Sequence, residues 1–517
     1  MTRARGCAEF RHKWACGSLK AIALTAAFLS CIGPLQPGPT PLGSEIPSHP
    51  RELKYSKLNY TPPEASDYRR VLSNGVAVFL AEDHDFPLVN VSVLVRTGGY
   101  LEPKGKEGLA AMTGSQIRAG GTTSLPADKF DEEVDFLAAT LSSSIGDTQA
   151  SANMNCLSKD IDKALELFFD MLKNPGFQQN RIDLYKNQVL QGMERRNDRT
   201  EAIQGREWGR LMRGTQHFST TPTTKASVES ITRQDLLDFH KKYYNPAAFI
   251  FSVSGDFKTP EMLARLEKIM QSWPVAKTSV PPVPKPSHVL QPGVYMVHKA
   301  DVNQGRVSVG HLGSLRDNPD YYALSIMDDI LGGGGFTSRI TSRVRSDEGL
   351  AYSAGSSYGF GVYYDGVFQA SFQSKSPTCA QATAIVLEEI EKIRTTKVTQ
   401  EELETSINSS VEVFPRNFAT AGAIAGTFAY DEYTKRRPDF WETYRDRIRA
   451  VTAEDVLRVA KKYLMPDKMV ILAVGNADDM LKGNPDKPEF SLKKFAQAGD
   501  VQRIPLPDPL TMVYPKN

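Results

Sequence analysis

The chain has 517 residues, 40% of them hydrophobic and 24% charged, which suits two or more buried cores and does not suit a disordered chain. Lys plus Arg (62) and Asp plus Glu (60) nearly cancel to a net charge of +2. The basic excess that nucleic-acid binding needs is missing, so no nucleic-acid partner is expected. A peptide substrate requires no such field.

Arg3, Arg5, Arg11 and Lys13 precede a short apolar run from Leu19 to Cys31. A membrane-spanning helix needs about 20 apolar residues, so this run reads as a signal peptide over 1–31. Phe28-Leu-Ser-Cys31 resembles a lipoprotein cleavage box with its Leu one position out of place, which leaves a lipid anchor at Cys31 as the alternative to simple cleavage. Export follows in either case, to the periplasm or as a membrane-anchored lipoprotein of a Gram-negative bacterium. Cys7, Cys16 and Cys31 belong to this segment. Cys156 and Cys379 remain, in what read as equivalent places of two domains, and are expected to be free buried thiols.

A Pro-rich linker, 32–65, comes next. Leu72-Ser-Asn-Gly75 reads as a turn, followed by strands over Val76–Ala81 and Leu88–Val95. Val89, Val91, Val93 and Val95 alternate with Asn90 and Ser92, so one face of the second strand is core. A helix begins at Ser158, read as its cap, with Ile161, Leu165, Phe168 and Leu172 on one face, and ends at Pro175-Gly176. A second Pro-rich linker, 276–292, divides the chain. Across it lies a repeat: Thr232-Arg-Gln-Asp-Leu-Leu-Asp-Phe-His-Lys-Lys-Tyr243 returns as Thr452-Ala-Glu-Asp-Val-Leu-Arg-Val-Ala-Lys-Lys-Tyr463 (452 − 232 = 220). Each copy has Thr as N-cap, Asp three residues on, and an apolar strand ending in Gly255 or Gly475.

The fold class is therefore α+β. Two homologous domains, 66–275 and 293–478, each an antiparallel-rich sheet with helices packed on it, arise by internal duplication and are joined by the Pro-rich linker; 479–517 is a C-terminal tail without periodicity.

Two stretches carry chemistry by resemblance. Gly108-Leu-Ala-Ala-Met-Thr-Gly-Ser-Gln-Ile-Arg-Ala-Gly-Gly-Thr122 resembles the zinc helix of the pitrilysin/insulinase metallopeptidases, and Leu331-Gly-Gly-Gly-Gly-Phe-Thr-Ser-Arg-Ile340 with Arg345-Ser-Asp-Glu-Gly-Leu-Ala-Tyr352 resembles their second signature. The likeness runs from Leu72 to Gly475 and is nearest to the bacterial, mitochondrial-processing-peptidase-like type. It implies two halves around a peptide chamber, with H-x-x-E-H supplying two zinc ligands and a base. Here those positions hold Ala111, Gly114 and Ser115, and the position of the third ligand, a Glu, holds Gly192. Of the eight histidines no two are four residues apart, so no zinc or other cofactor is expected in this chain.

The resemblance gives Arg345 and Tyr352 the task of holding a peptide backbone and its developing oxyanion, since guanidinium and phenol both donate hydrogen bonds. The plainer alternatives are an ion pair of Arg345 with Asp347 or Glu348, and a half-buried strand position for Tyr352. The run Gly332–Gly335 lacks the Gly-Lys-Ser/Thr of a phosphate loop and reads as a flexible loop that lets a peptide approach. The expectation is a substrate-positioning subunit, inactive alone, of a heteromeric zinc peptidase whose H-x-x-E-H-bearing homologue holds the zinc. The alternatives are an inert structural or peptide-binding member of the family and an autonomous peptidase with an unrelated site.

Overall fold

The structure is a computed structural model and describes residues 58–273, 275, 280–496 and 500–515. The signal peptide, Cys7, Cys16, Cys31 and the linker up to residue 57 lie outside the described residues.

The first sheet is built from β1 (Arg69–Val71), β2 (Ala77–Glu82), β3 (Leu88–Val95), β4 (Thr140–Ile145), β5 (Ala150–Leu157) and β6 (Phe249–Gly255), in the order β1-β2-β6-β3-β5-β4. Only β2 and β6 run parallel; the other pairings are antiparallel. In the second half β7 (Gly293–His298), β8 (Gln304–Leu312), β9 (Ser314–Leu315), β10 (Ala351–Tyr358), β11 (Phe360–Gly361), β12 (Val367–Lys375), β13 (Val470–Gly475) and β14 (Gln502–Arg503) follow. Their main sheet has the order β10-β12-β8-β13-β7-β14, with β9 and β11 as a separate pair. The repeat seen in sequence is thus a repeat of five strands of each sheet; the sixth differs, β1 being antiparallel to β2 and β14, from the C-terminal tail, parallel to β7.

The helices that position the site are α1 (Leu109–Ala119), α2 (Ile161–Lys173), α3 (Gln179–Glu194), α4 (Thr200–Arg213), α5 (Arg233–Tyr243), α6 (Tyr321–Asp328), α7 (Cys379–Thr395), α8 (Ala421–Thr434) and α9 (Ala453–Tyr463). α5 and α9 start as read, with Thr232 and Thr452 in reciprocal capping boxes with Asp235 and Asp455. The expected cap at Ser158 is different. Ser158 opens a short 3-10 turn and its hydroxyl donates to Asp256 at 2.7 Å, so α2 proper begins three residues later. Its buried face, including Leu165, Phe168 and Leu172, is the one the spacing predicts.

Two helices cross between the halves. α8 covers the first sheet on the face opposite α2, where Phe428, Ala425 and Ala429, with Phe414 and Phe418 just before the helix, bury Ala77, Phe79, Ala81 and Ile250. α4 reciprocates with Ile203, Trp208 and Met212 over Tyr295, Val297, Val470, Leu472 and Val474. The two start 221 positions apart (421 − 200), so the exchange belongs to the duplication. It explains why β2 is buried at five successive positions and β13 at all six: both faces are covered.

Cys156 and Cys379 are free and buried, but they are not equivalent: Cys156 is near the end of β5 and Cys379 is the first residue of α7, whose counterpart α2 starts at Ile161. The segment after Asp478 is tied down. β14 adds to β7, and beyond it Pro507, Pro509 and Leu510 offer carbonyls to Asn197, Arg196 and the Lys225 backbone, while Tyr514 donates to Glu207.

Candidate functional site

Arg345 lies in a π-helical turn, Ser342–Asp347, and Tyr352 is the second residue of β10. Gly349, at φ 61°, reverses the chain between them, a backbone conformation that costs a side-chain-bearing residue about 1 kcal/mol or more. The turn brings the Arg345 guanidinium to 4.4 Å from the Tyr352 ring centre and 4.5 Å from that of Phe336. The two rings are 83% and 67% exposed, so a cation stands between two aromatic faces at the surface.

Neither plainer reading applies. Asp347 faces Arg343 at 4.0 Å, and Glu348 is taken by Gln381 at 3.1 Å and Lys487 at 3.5 Å. The neighbouring arginines anchor the segment: Arg343 reaches Glu389 and Glu388 on α7, and Arg339 makes a two-pronged bond to Glu402. Arg345 is left with no hydrogen bond or ion pair among the described residues, so its N–H donors are uncommitted. Phe336 was missed in the sequence reading. Its place beside a glycine run and nine residues before Arg345 was the signal that could have found it.

The glycine run is not the flexible loop expected. Asp329–Gly333 forms a π-helical turn continuing α6, and a Cβ on Gly332 would lie 2.3 Å from the backbone nitrogen of Ser356 in β10. The close approach glycine permits is to the chain's own strand, not to a peptide.

The same contact recurs in the first half, at Gly114, one of the positions that the resemblance compares with the zinc motif. Gly114, in the middle of α1, sits against β4 so closely that a Cβ would lie 2.3 Å from the Ile145 nitrogen and 2.8 Å from the Ser144 carbonyl carbon. Gly114 and Gly332 are 218 positions apart, as are the starts of α2 and α7 (379 − 161). α1 is therefore packed as the second half packs its glycine helix. Strand backbone fills the place a side chain at 114 would need. Of the other two positions, Ala111 is exposed and Ser115 half-buried. Gly192 is exposed near the end of α3 with open space around it, and Glu194 is exposed too.

The six described histidines are engaged locally. His84 pairs with Asp256 at 2.8 Å, which holds its pKa above the usual value; His240 is buried, drawn down to about 4, and its ring nitrogen bonds the Leu172 carbonyl at 2.8 Å. His217, His288, His298 and His311 each bond backbone groups. Among the described residues no three His, Cys, Asp or Glu side chains converge on a point where a metal ion could sit.

One carboxylate at α1 is perturbed. Glu102 accepts from the Gly108 nitrogen at 3.1 Å and the Ala110 nitrogen at 2.7 Å, capping the helix, and burial raises its pKa to about 7 against the pull of those two bonds. Sequence inspection gave no sign of it, because Glu102 lies seven positions ahead of the first residue of the helix.

The description "Insulinase (Peptidase family M16)" matches residues 77–217, and "Peptidase M16 inactive domain" matches residues 230–410. The chain is 25% identical over 411 residues to the non-peptidase homolog YmxG of Helicobacter pylori, covering 78% of this chain and 92% of that one. It is 24% identical over 438 residues to the probable mitochondrial-processing peptidase subunit beta of Arabidopsis thaliana, covering 82% and 80%. Among solved structures, the peptidase M16 inactive domain from Pseudomonas fluorescens superposes with a TM-score of 0.70 at 22% identity, over 79% of this chain and 97% of that one. Two family matches, one in each half of the duplication, and a pair of sheets alike in five strands lead to one conclusion: the chain belongs to the insulinase (M16) peptidase family.

Proposed function

We propose that this chain is the zinc-free, substrate-positioning subunit of a heteromeric peptidase, in which a homologue bearing H-x-x-E-H supplies the zinc and the attacking water. The observation that carries the reading is the Phe336–Arg345–Tyr352 stack. It holds a guanidinium with its donors free beside an exposed phenol, suited to the carbonyl of an extended peptide and to the negative charge that gathers on it during hydrolysis. The packing of Gly114 on β4 supports the other part, since a general base cannot be placed there without moving the strand. The name of the processing-peptidase relative, a subunit, favours an assembly. Export is part of the proposal, with periplasmic release or a lipid on Cys31.

The test is reconstitution. The purified chain should contain no stoichiometric zinc and cleave no peptide, and mixing with a zinc-bearing homologue should give cleavage. Arg345→Ala or Tyr352→Phe should lower that rate by about 10²–10³-fold while the two chains still co-elute. A second reading, an inert structural or peptide-binding member, is favoured by the name of the YmxG relative. It wins if a zinc-bearing partner co-purifies and its activity is indifferent to both substitutions.

A further inference from the structure

The C-terminal tail crosses from one half of the chain to the other. Its strand β14 joins the second sheet beside β7, and the Ile504 nitrogen donates to the Met296 carbonyl at 2.8 Å. Ile504 and Leu506 pack on the cluster that α4 shares with the second sheet, whereas Leu510 packs on the core of the first half. Pro505, Pro507 and Pro509 have a fixed φ, so this stretch loses less conformational entropy on being held than an ordinary chain would.

Beyond Leu506 the tail is held by groups of the first half. Asn197 Nδ2 donates to the Pro507 carbonyl at 2.8 Å, Arg196 Nη1 to the Pro509 carbonyl at 3.3 Å, and the Lys225 nitrogen to the Leu510 carbonyl at 2.8 Å. Asp508 closes a turn by accepting from the Leu510 and Thr511 nitrogens at 3.0 and 2.7 Å, and Met512, at φ 57°, is buried next to it. At the far end the Tyr514 hydroxyl donates to Glu207 at 2.7 Å, and the Arg210 guanidinium stands 4.2 Å from the centre of its ring. Glu207 is 2% exposed and also pairs with Arg206 at 2.7 Å, so the phenol belongs to the shell that lets a carboxylate be buried on α4.

Two contacts carry this seat to α1. The same Arg196 Nη1 donates to the Thr223 carbonyl at 2.8 Å, and Thr223 lies so near Gly108, the residue before α1, that a Cβ there would meet its Cγ2 at 2.8 Å. Ser227 donates its hydroxyl to the Glu107 carbonyl, also at 2.8 Å. The segment 223–227 is thus held by the tail on one side and holds the start of α1 on the other.

We propose that the tail is a strap that seats and releases as one unit, and that its seating fixes α4 on the second sheet and the first turn of α1 together. Tyr514 grips the exchanged helix and Leu510 the first half. Coupling through a single strap is reciprocal, so a change at either end is felt at the other. The device is independent of peptide positioning by Arg345.

The experiment is amide hydrogen exchange, read by mass spectrometry, on the full chain and two variants of the tail. Tyr514→Phe removes only the hydroxyl bonded to Glu207, and Leu510→Ser removes only the apolar contact with the first half. Each should speed exchange about tenfold or more both in α4 and in residues 108–112, while α7 and β8 keep the rates of the unaltered chain. Acceleration confined to the mutated end would overturn the proposal. So would no acceleration in either variant, or an equal acceleration in α7, the mark of general destabilisation.

Discussion

Gly114→Ala tests the packing of α1 on β4 at the position the resemblance compares with the family's catalytic base. A helix-interior alanine is favoured over glycine by about 1 kcal/mol, so on α1 alone the change would stabilise. In place, the new methyl lies 2.3 Å from Ile145 N, 2.8 Å from the Ser144 carbonyl carbon and 2.9 Å from Ile145 Cγ1, roughly 1 Å inside van der Waals contact. Two of the three obstacles are backbone of β4, paired throughout its length with β5, so the helix must retreat. Overpacking of this kind costs about 1–3 kcal/mol. The net expectation is a loss of about 1 kcal/mol for Gly114→Ala and a larger loss for Gly114→Glu. Gly192→Ala is the internal control, because a Cβ there meets nothing within 4 Å on an exposed helical surface; it should gain up to about 1 kcal/mol. Urea unfolding of the three variants at one pH reads all these differences. If Gly114→Ala matched Gly192→Ala in stability, helix propensity would outweigh the strand contact, and the claim that β4 occupies the place of the base would fail.

Glu102 gives a pH signature. Its carboxyl is raised from 4.5 to about 7 mainly by burial, so between those values the folded state holds the proton the unfolded state has released. Stability from this group is full below about pH 4.5 and falls as pH rises towards 7, by up to about 3 kcal/mol. Glu102→Gln should flatten the decline seen in urea titrations at pH 5 and 8; an unchanged slope would refute the assignment. Phe428→Ala should cost about 3–5 kcal/mol and speed amide exchange in β2 and β6 of the other half, as Trp208→Ala should in β13; exchange confined to the mutated half would contradict the helix exchange. Burial pushes the Cys156 thiol up to about 11 and that of Cys379 to about 12, so a disulfide reagent should modify neither in the native chain and both in urea. Rapid native labelling would show that the buried positions open.

The duplication was legible because both copies of the capped helix and its strand kept their residue types at one spacing, Thr232 to Gly255 and Thr452 to Gly475. Strand alternation at Val89–Val95 was legible because β3 has one covered face and one polar one, on which Ser92 donates to Asn153 and Asn90 accepts from Asn155. The helix exchange was not legible. Period 3.6 marks which face of α4 or α8 is apolar but not which sheet receives it, and α8 is apolar almost all round. At the site, the spacing of Arg345 and Tyr352 was readable, whereas their cation–aromatic contact depends on Arg343 having taken Asp347 and on Gln381 and Lys487 having taken Glu348. Competition among several arginines for several acids is settled by geometry.

The exchange of α4 and α8 also bears on how a family member can lose one function and keep another. Each sheet depends on a helix from the other half, so neither half can be discarded or fold to completion alone, whatever becomes of its chemistry. The glycines of α1 and its counterpart, Gly114 and Gly332, are held in place by this shared architecture, each against a strand backbone. The stack at Arg345 is under no such protection. Its two rings are exposed, its charge is unpaired, and cation–aromatic contacts at exposed sites contribute only about 0.5–1 kcal/mol each. Folding accounts for the buried glycines. It does not account for an unpaired arginine held at the surface between two exposed aromatic rings, and on that observation the proposed peptide-positioning role rests.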